Sequence, residues 1–179
     1  MRDLDLYRRI NDKTKAVVQM TLTTADDELC RILEPNVSVT SERLEALKTF
    51  RDAGIPTVVW LCPILPFIND TEENIRAIVE ACRDAGVTGI INFGMGMTLR
   101  EGNREYFYKQ LDRHFPGLKG KYIALYGNAY EIASLKQESL LRIYHEMCEA
   151  YGILHDNDRI FRYLHEFEEK NQTIQMSFL

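Results

Sequence analysis

The feature that most constrains the fold is a five-residue segment that occurs twice. Arg51-Asp52-Ala53-Gly54-Ile55 is followed 32 residues later by Arg83-Asp84-Ala85-Gly86-Val87. Each copy follows a stretch with helical periodicity and precedes an apolar run, so each is predicted to end a helix and lead into a strand. Strand–helix units that repeat in this way predict a parallel sheet. Only about three units are visible, and a closed eight-unit barrel needs about 250 residues, so the pattern is typical of a small open sheet or of part of a barrel.

Three apolar runs are predicted to be the strands of this sheet. Residues 16–24 alternate between apolar and polar side chains, as a half-buried strand does. Residues 56–62 and 89–93 are almost continuously apolar, which is typical of parallel strands covered on both faces. Helices are predicted at about 3–10, 26–33, 41–53, 70–85 and 103–115, and a turn at 94–97. Asp70, with Glu73 three residues later, is expected to cap the fourth of these helices.

The pattern changes near residue 122. Residues 136–151 and 158–168 have helical periodicity, and residues 172–179 are predicted to be a tail. We therefore expect an α/β region over residues 1–127 and a helical C-terminal extension with a tail over residues 128–179.

Charge and cysteine spacing exclude several classes of protein. The 179 residues carry a formal net charge of −5, which argues against broad non-specific binding to nucleic acid. No two of the four cysteines lie closer than 20 residues, so none form the spaced pair typical of a zinc or redox site. The N-terminal residues are charged, unlike a signal peptide, and no apolar run is long enough to cross a membrane. These features predict a cytoplasmic protein with reduced thiols and no membrane contact.

One stretch, residues 98–121, departs from the acidic average. Its basic residues are Arg100, Arg104, Lys109, Arg113, Lys119 and Lys121, and its aromatic residues are Tyr106, Phe107, Tyr108 and Phe115. Basic and aromatic side chains together can bind phosphates and stacked bases, which leaves a contact with nucleic acid open. The alternative is an amphipathic helix whose basic face is solvated.

Polar side chains gather after the three predicted strands, in segments 21–27, 62–70 and 92–100. These segments are expected to meet at one edge of the sheet, because ligands of parallel α/β folds bind at the carboxyl ends of the strands. Their polar members are Thr21, Thr23, Thr24, Asp26, Asn69, Asp70, Asn92, Thr98 and Arg100. Hydroxyls and amides of this kind suit a ribose or an amino acid, and the glycines of the predicted turn allow close approach of a flat ring. The alternative is that several of these side chains only cap helices.

Short motifs in the same segments resemble a known family. They are Thr21-Leu22-Thr23-Thr24-Ala25-Asp26, Leu33-Glu34-Pro35, Arg43-Leu44, Ala53-Gly54-Ile55-Pro56 and Pro63-Ile64-Leu65-Pro66-Phe67-Ile68-Asn69-Asp70. In this order, over roughly residues 3–127, they resemble the radical S-adenosylmethionine (SAM) enzymes of the spore photoproduct lyase-like and DNA repair photolyase-like group. The family fold is a partial TIM-type (β/α) barrel. The resemblance implies that residues 1–127 are the C-terminal half of that barrel, with about three parallel strand–helix units.

The resemblance also implies positions for the cofactor. In the family a [4Fe–4S] cluster reduces SAM to a 5′-deoxyadenosyl radical, which removes a hydrogen from the substrate. Two SAM-binding positions are implied at each strand end: Thr21 and Thr23 near the ribose or carboxylate, Pro63 and Ile64 beside the adenosine, and Asn92 and Phe93 near the adenine. Asn69 and Arg100 are the candidates on the substrate side.

The chain departs from the family at the cluster. The family's cluster loop is Cys-x-x-x-Cys-x-x-Cys, whereas the cysteines here are widely spaced and the first three strands are absent. We therefore expect this chain alone to bind neither cofactor and to be inactive, and we predict no catalytic and no metal-binding residue in it. The missing strands also predict an exposed edge beside residues 16–24. That edge is expected to be covered by the N-terminal half of the barrel or by a second copy in a homodimer.

The C-terminal residues carry a further resemblance. Gln175-Met176-Ser177-Phe178-Leu179 is similar to the Gln-Leu-Ser-Leu-Phe peptide with which bacterial repair proteins bind the sliding clamp. Met176 and the exchanged order of the last two residues depart from that peptide. The alternative is a frayed tail.

Three functions are open at this point. The leading interpretation is a fragment of a radical SAM enzyme, with nucleic-acid repair as an association at the level of the family. The second is a non-enzymatic module that binds a nucleoside or a partner. The third, ranked last, is a cofactor-free enzyme that uses Asp26 and Asp70, since both aspartates are expected to start helices.

Overall fold

In the computed structural model, which describes residues 3–167 and 170, helices and strands alternate along most of the chain. The helices are α1 (Leu4–Lys13), α2 (Asp27–Leu33), α3 (Thr40–Asp52), α4 (Glu72–Ala85), α5 (Asn103–His114), α6 (Leu118–Tyr126), α7 (Gln137–Tyr151) and α8 (Asn157–His165). The strands are β1 (Val18–Thr21), β2 (Thr57–Trp60), β3 (Gly89–Ile91), β4 (Gly96–Thr98) and β5 (Glu131–Ala133). The first three strands form one parallel sheet in the order β1-β2-β3, and β4 and β5 form an antiparallel pair. The protein is therefore a mixed α/β fold on a three-stranded parallel sheet, as the repeat predicts.

The burial of the central strand, β2, explains its apolar sequence. Val58 pairs with Gln19 on one side and Gly89 on the other, and its side chain is fully buried. Val59, which faces the opposite side of the sheet, is also fully buried. A strand covered on both faces has no solvent-facing position, so a continuous apolar run is the pattern it requires.

Helices cover the sheet on both faces. On one face α3, α4 and α7 pack on Val59, Leu61 and Ile90. Their buried side chains are Leu47, Ile75, Ile78, Val79, Cys82, Leu140, Ile143, Tyr144, Met147 and Cys148. On the other face α8 packs Ile160 against Val58. The helices after residue 127 thus pack on the same sheet as those before it, and a domain boundary there stays a prediction.

The two copies of the repeated segment end neighbouring helices. Gly54 and Gly86 follow α3 and α4 with φ angles of 73° and 68°, a left-handed conformation that glycine adopts without strain. Arg51 of the first copy donates a hydrogen bond from Nη1 to the Asp84 carbonyl of the second copy, at 2.9 Å. The repeat therefore also joins the two helix ends.

The start of α4 corrects the sequence prediction by one residue. Thr71 is the N-cap, and its hydroxyl accepts a hydrogen bond from the Asn74 amide at 3.1 Å. The Asp70 carboxylate instead accepts hydrogen bonds from the Phe67 amide and the Ser134 hydroxyl. The prediction of an Asp70 cap is wrong because the next residue fills that role, which leaves Asp70 free to bind a distant segment.

The segment predicted as a turn at residues 94–97 runs into strand β4. This strand pairs with β5, and an ideal Cβ placed on Gly96 would lie 2.1 Å from the Ile132 carbonyl oxygen. Glycine is required here because the two backbones approach so closely. β5 was not predicted, because a three-residue strand that pairs with a distant partner leaves no clear periodicity in the sequence. α6 was not predicted either, because it buries Tyr122 alone and so has no apolar stripe at helical spacing.

β1 lies at the edge of the parallel sheet, where the sequence predicts an exposed strand. Within the described chain its strand neighbour is β2 alone. At the outer edge Arg43 donates a hydrogen bond from Nη1 to the Thr21 carbonyl at 2.8 Å and pairs through Nη2 with Glu34 at 2.6 Å. A covering partner, whether a missing half-barrel or a second copy, stays a prediction.

Two further sequence predictions concern the helices and the tail. None of the helices in the described part of the chain combines the length and the apolar character needed to cross a membrane. Residues 175–179, for which a sliding-clamp contact is predicted, lie outside the described residues.

Candidate functional site

The carboxyl ends of β1, β2 and β3 lie side by side. Thr21, the last residue of β1, pairs with Trp60, and Trp60 pairs with Ile91. Beyond them the Leu22 amide donates a hydrogen bond to the Trp60 carbonyl at 3.0 Å, and the Leu61 amide donates one to the Ile91 carbonyl at 2.9 Å. The three polar segments therefore leave the sheet along one edge.

Asn92 connects the strand ends and directs the chain after β3. Its amide nitrogen donates a hydrogen bond to the Leu61 carbonyl at 2.8 Å, and its amide oxygen accepts one from the Gly94 amide at 2.8 Å. Asn157 at the start of α8 donates a hydrogen bond to the Asn92 carbonyl at 2.8 Å. The Asn92 side chain is thus occupied by the backbone, and Phe93 is left at the surface.

Three aromatic rings lie together at this edge. The Phe93 ring centroid is 5.9 Å from that of Trp60 and 6.2 Å from that of Phe161, and the latter two are 6.1 Å apart. The Trp60 indole donates a hydrogen bond to Gln19 at 2.8 Å, which holds the ring in place. Phe93 remains 63% exposed although it contacts two other rings. An exposed ring on a fixed aromatic base is suited to stacking on a flat ligand.

A cavity of about 730 Å³ opens beside Phe93. It is lined by Cys62, Pro63, Phe93, Gly94, Gly96, Met97, Thr98, Asn103, Glu131, Ile132, Ala133 and Gln137. The volume lies within the range of small-molecule sites, about 300–1,000 Å³. The lining combines an aromatic ring, two glycines that expose backbone, and a few polar side chains, which is the composition of a site for a flat, partly polar ligand.

Cys62 is the one cysteine of the four that is only half-buried, and it lines this cavity. Burial raises the pKa of its thiol above the ordinary value, because a thiolate is poorly solvated there. Cys62 is therefore a neutral thiol at pH 7 and a weak nucleophile.

We expect iodoacetamide to modify Cys62 first among the four cysteines of the folded protein. Since burial raises the pKa of the Cys62 thiol, its thiolate fraction is small at pH 7, and the rate should rise roughly tenfold per pH unit below that pKa. Peptide mass spectrometry after timed labelling measures the order and the pH dependence. Labelling of Cys30, which is buried, at the same rate would contradict the burial difference.

Thr21 and Thr23, implied as SAM contacts, lie in different surroundings. Thr21 shares the face of the sheet on which Trp60 lies, and its carbonyl is bound by Arg43. Thr23 is buried and donates a hydrogen bond from its hydroxyl to Glu34 at 2.8 Å. Thr23 therefore belongs to an internal network with Glu34 and Arg43, whereas Thr21 lies on the face of the sheet that carries Trp60, and a SAM contact of either residue stays a prediction.

Asn69, a substrate-side candidate, holds the loop that follows β2. It is 1% exposed, its amide oxygen accepts a hydrogen bond from the Leu65 amide, and its amide nitrogen donates one to the Thr23 carbonyl at 2.8 Å. Asn74 donates a second hydrogen bond to the same carbonyl at 3.0 Å. The described role of Asn69 is thus structural, and a direct ligand contact stays a prediction.

The remaining candidates lie at different depths around the cavity. Pro63 lines it, whereas Ile64 is fully buried below, where its amide donates a hydrogen bond to the Gly96 carbonyl at 3.1 Å. Arg100 is exposed beyond β4 and donates a hydrogen bond to the Tyr130 hydroxyl at 3.2 Å. Pro63 and Phe93 are therefore the two implied SAM positions that line the cavity, with Asn92 and Ile64 supporting them.

Sequence reasoning missed the side of the cavity formed by β5 and the start of α7. Glu131 and Gln137 bring a carboxylate and an amide to it, and Thr98 of β4 adds a hydroxyl. The segment that contains Glu131 and Gln137 follows the predicted α/β region and has no strand pattern. The close approach of β5 to Gly96 is what brings them to the site, and Gly96, within the predicted turn, was the one available signal.

A second cavity of about 650 Å³ shares Phe93, Gly94 and Gln137 with the first. It contains His145 and His155, whose ring centroids are 5.3 Å apart. Burial, and to a lesser extent His155, lower the pKa of His145, so this imidazole is neutral at pH 7. Within the described chain no group of three or more His, Cys, Asp or Glu side chains is arranged to hold a metal ion.

Part of the chain is similar in sequence to longer proteins. No protein-family model matches it. It is 31% identical to uncharacterized proteins of Mycobacterium tuberculosis and Mycobacterium bovis over 125 residues, which cover 70% of this chain and 36% of each relative. An uncharacterized protein of Acidianus two-tailed virus is 29% identical over 108 residues, or 59% of this chain and 35% of that protein. The chain thus spans about a third of the length of the curated relatives it matches.

One solved structure has a weak similarity. The crystal structure of Bacillus subtilis HMG-CoA lyase matches with 18% sequence identity and a TM-score of 0.31, over 83% of this chain and 67% of that one. A TM-score at this level carries no argument about fold or function.

Proposed function

We propose that this chain is the C-terminal part of a radical SAM barrel and that it carries the nucleoside side of the SAM site. The observation that carries the proposal is the exposed Phe93 ring, held on Trp60 at the carboxyl edge of a parallel sheet, beside a cavity lined by Pro63. These are the strand ends at which the motif resemblance implies adenosine. The mycobacterial and viral relatives, which extend well beyond the matched region, have room for the other half of a barrel.

The chain's own groups suit an adenosine more than a sugar or an amino acid alone. The adenine stacks on Phe93, while the glycine backbone at residues 94 and 96 lies close to the ring edge. Thr98, Glu131 and Gln137 provide a hydroxyl, a carboxylate and an amide that can bind the ribose hydroxyls. SAM, when bound, supplies the 5′-deoxyadenosyl group, and the protein's contribution is to bind and orient its nucleoside.

The cysteines of this chain do not fit a [4Fe–4S] cluster. A cluster needs several thiolates that converge on one position. Cys30, Cys82 and Cys148 are buried in the core, and burial raises the pKa values of Cys62, Cys82 and Cys148, which disfavours their thiolates. We therefore derive no catalytic step for this chain alone, and SAM cleavage is proposed only for a complete barrel.

A second candidate function is a non-enzymatic nucleoside-binding module. The observation that favours it is α8, which packs on the face of the sheet that carries Trp60 and buries Ile160 completely against Val58. In a partial barrel this face would look toward the barrel interior. A chain that covers it with its own helix has a closed core without further strands.

The sequence alone led us to expect no bound cofactor in this chain, but the cavity beside Phe93 changes that expectation for the nucleoside. We now expect the chain to bind adenosine and SAM without cleaving SAM, with quenching of Trp60, its one tryptophan. Phe93→Ala should weaken both ligands by about 1–3 kcal/mol, roughly fivefold to a hundredfold in Kd, because it removes the stacking ring. Phe167→Ala is the matched control, since Phe167 is another highly exposed phenylalanine and is not part of the ring cluster. Fluorescence titration and calorimetry measure the affinities. Equal effects of the two variants, or no binding of either ligand, would refute the nucleoside site.

The enzymatic half of the proposal needs a separate measurement. The full-length Mycobacterium tuberculosis relative should acquire a [4Fe–4S] absorbance on anaerobic reconstitution and cleave SAM to 5′-deoxyadenosine, whereas this chain should do neither. Failure of the relative to bind iron, with nucleoside binding intact in this chain, would favour the non-enzymatic module.

A further inference from the structure

A third cavity, of about 430 Å³, lies between α2 and α5 and against the loop after β2. Its walls are mainly apolar and are formed by Ile32, Leu33, Pro35, Leu65, Ile68, Phe107, Leu111 and Phe115. Tyr106 and Ile32 are exposed at its rim. Asn103 lines both this cavity and the one beside Phe93, so the two adjoin without sharing their aromatic residues.

The charge of this cavity is opposite to that of the whole chain. Arg31, Arg113 and His114 line it, and no aspartate or glutamate does. Neither arginine takes part in any of the ion pairs formed within residues 3–167. Asp27 is close enough for Arg31 to lower its pKa, but the larger cause is its hydrogen bonds from Ser41, which occupy the Asp27 carboxylate. Two fixed positive charges are therefore available to a ligand in an acidic protein.

The other basic residues of the stretch 98–121 are mostly engaged within the protein. Arg104 donates hydrogen bonds to the carbonyls of residues 99, 127, 128 and 129. Lys119 pairs with Asp112 at 2.7 Å, and the Lys121 ammonium lies 4.0 Å from the centroid of the Phe67 ring. A nucleic-acid strand would need a row of free cations along its backbone, and the stretch 98–121 does not offer one. Two arginines that line one cavity suit a small ligand better than a strand.

We infer that this cavity binds a single aromatic phosphate monoester of nucleotide size. A phosphate monoester carries close to two negative charges at pH 7, which matches two arginines. Arginine binds phosphate oxygens through two parallel N–H groups, more specifically than lysine does. The exposed Tyr106 ring and the apolar walls suit the flat ring of the ligand. This inference does not rest on the proposed function, because the residues that line this cavity, except Asn103, lie outside the nucleoside cavity.

Uridine 5′-monophosphate (UMP), uridine and inorganic phosphate are the probes, with affinities measured by calorimetry and by NMR titration. We expect UMP to bind more tightly than either of its parts, and Arg31→Gln and Arg113→Gln each to weaken it by roughly tenfold or more. Lys109→Gln is the matched control: it removes one exposed positive charge from the same helix, and Lys109 does not line the cavity. That control should leave the UMP affinity unchanged.

Three results would overturn the inference. If UMP binds no more tightly than uridine or phosphate, the cavity does not bind the ring and the phosphate of one ligand together. If Phe93→Ala lowers the UMP affinity more than the arginine variants do, the ligand binds in the nucleoside cavity instead. An oligothymidylate that binds at least roughly tenfold more tightly than UMP and is weakened by Lys109→Gln indicates an extended strand surface. Because Arg31 and Arg113 are exposed, their variants are expected to fold.

Discussion

Gly96→Ala is expected to destabilise the protein by about 2–4 kcal/mol and to open the candidate nucleoside cavity. The new Cβ would lie 2.1 Å from the Ile132 carbonyl oxygen and 3.0 Å from the Ala133 Cα. Both contacts are with backbone, which has no rotamer to move away, so β4 and β5 must separate. The Gly96 carbonyl also accepts the Ile64 amide, so the change reaches the loop after β2.

Urea unfolding followed by Trp60 fluorescence measures this loss, and adenosine titration measures the effect on the cavity. Gly120→Ala is the matched control, because an added Cβ there meets nothing within 4 Å. Gly120 lies inside α6, where alanine is a better helix former, so this variant should be neutral or up to about 1 kcal/mol more stable. A Gly96→Ala protein as stable as the wild type would mean that β4 and β5 do not approach each other this closely.

Asp70→Ala is expected to lower the free energy of unfolding by about 2–4 kcal/mol, although it removes only a small side chain. Its buried carboxylate accepts a hydrogen bond from the Phe67 amide at 2.7 Å and another from the Ser134 hydroxyl, which precedes α7. Truncation leaves the buried Ser134 hydroxyl and the half-buried Phe67 amide without an acceptor, and it detaches the loop after β2 from the segment after β5. Thermal and urea unfolding measure the effect.

Two variants make the Asp70 result specific. Asp84→Ala removes a carboxylate of the same size from a surface pair with Arg83, so it should change the free energy of unfolding by about 1 kcal/mol or less. Asp70→Ser would preserve stability if Asp70 were a helix cap, because serine caps equally well. We expect Asp70→Ser to be nearly as unstable as Asp70→Ala, since Thr71 is the cap and a serine side chain is too short for both partners.

The elements of the parallel sheet could be predicted from the sequence because their patterns are local. The alternating run in β1 and the continuous run in β2 reflect how many faces of each strand are buried. The repeated glycines mark helix ends because they adopt positive φ angles there. The β4–β5 pair was missed because each strand has three residues and its partner lies far along the chain.

The candidate site was predicted at the level of its location and less well at the level of single side chains. Asn69 and Phe93 both follow predicted strands, yet the amide of Asn69 is occupied by backbone, whereas the ring of Phe93 is exposed at a cavity. A polar residue near a strand end can contact a ligand, or it can hold the loop in place through hydrogen bonds to the backbone. The local sequence is the same in both cases and does not distinguish them. The hydrogen-bond partners distinguish them.

The sequence by itself determined the parallel α/β class, the order of the main elements and the edge of the sheet along which the three polar segments lie. It did so because strand alternation, helix periodicity and glycine at helix ends are properties of a few neighbouring residues. Only the tertiary structure decided that β5 and α7 complete the cavity, that Asp70 binds Ser134, and that Arg31 and Arg113 line one pocket. These contacts join residues far apart in the chain, and no local pattern specifies them.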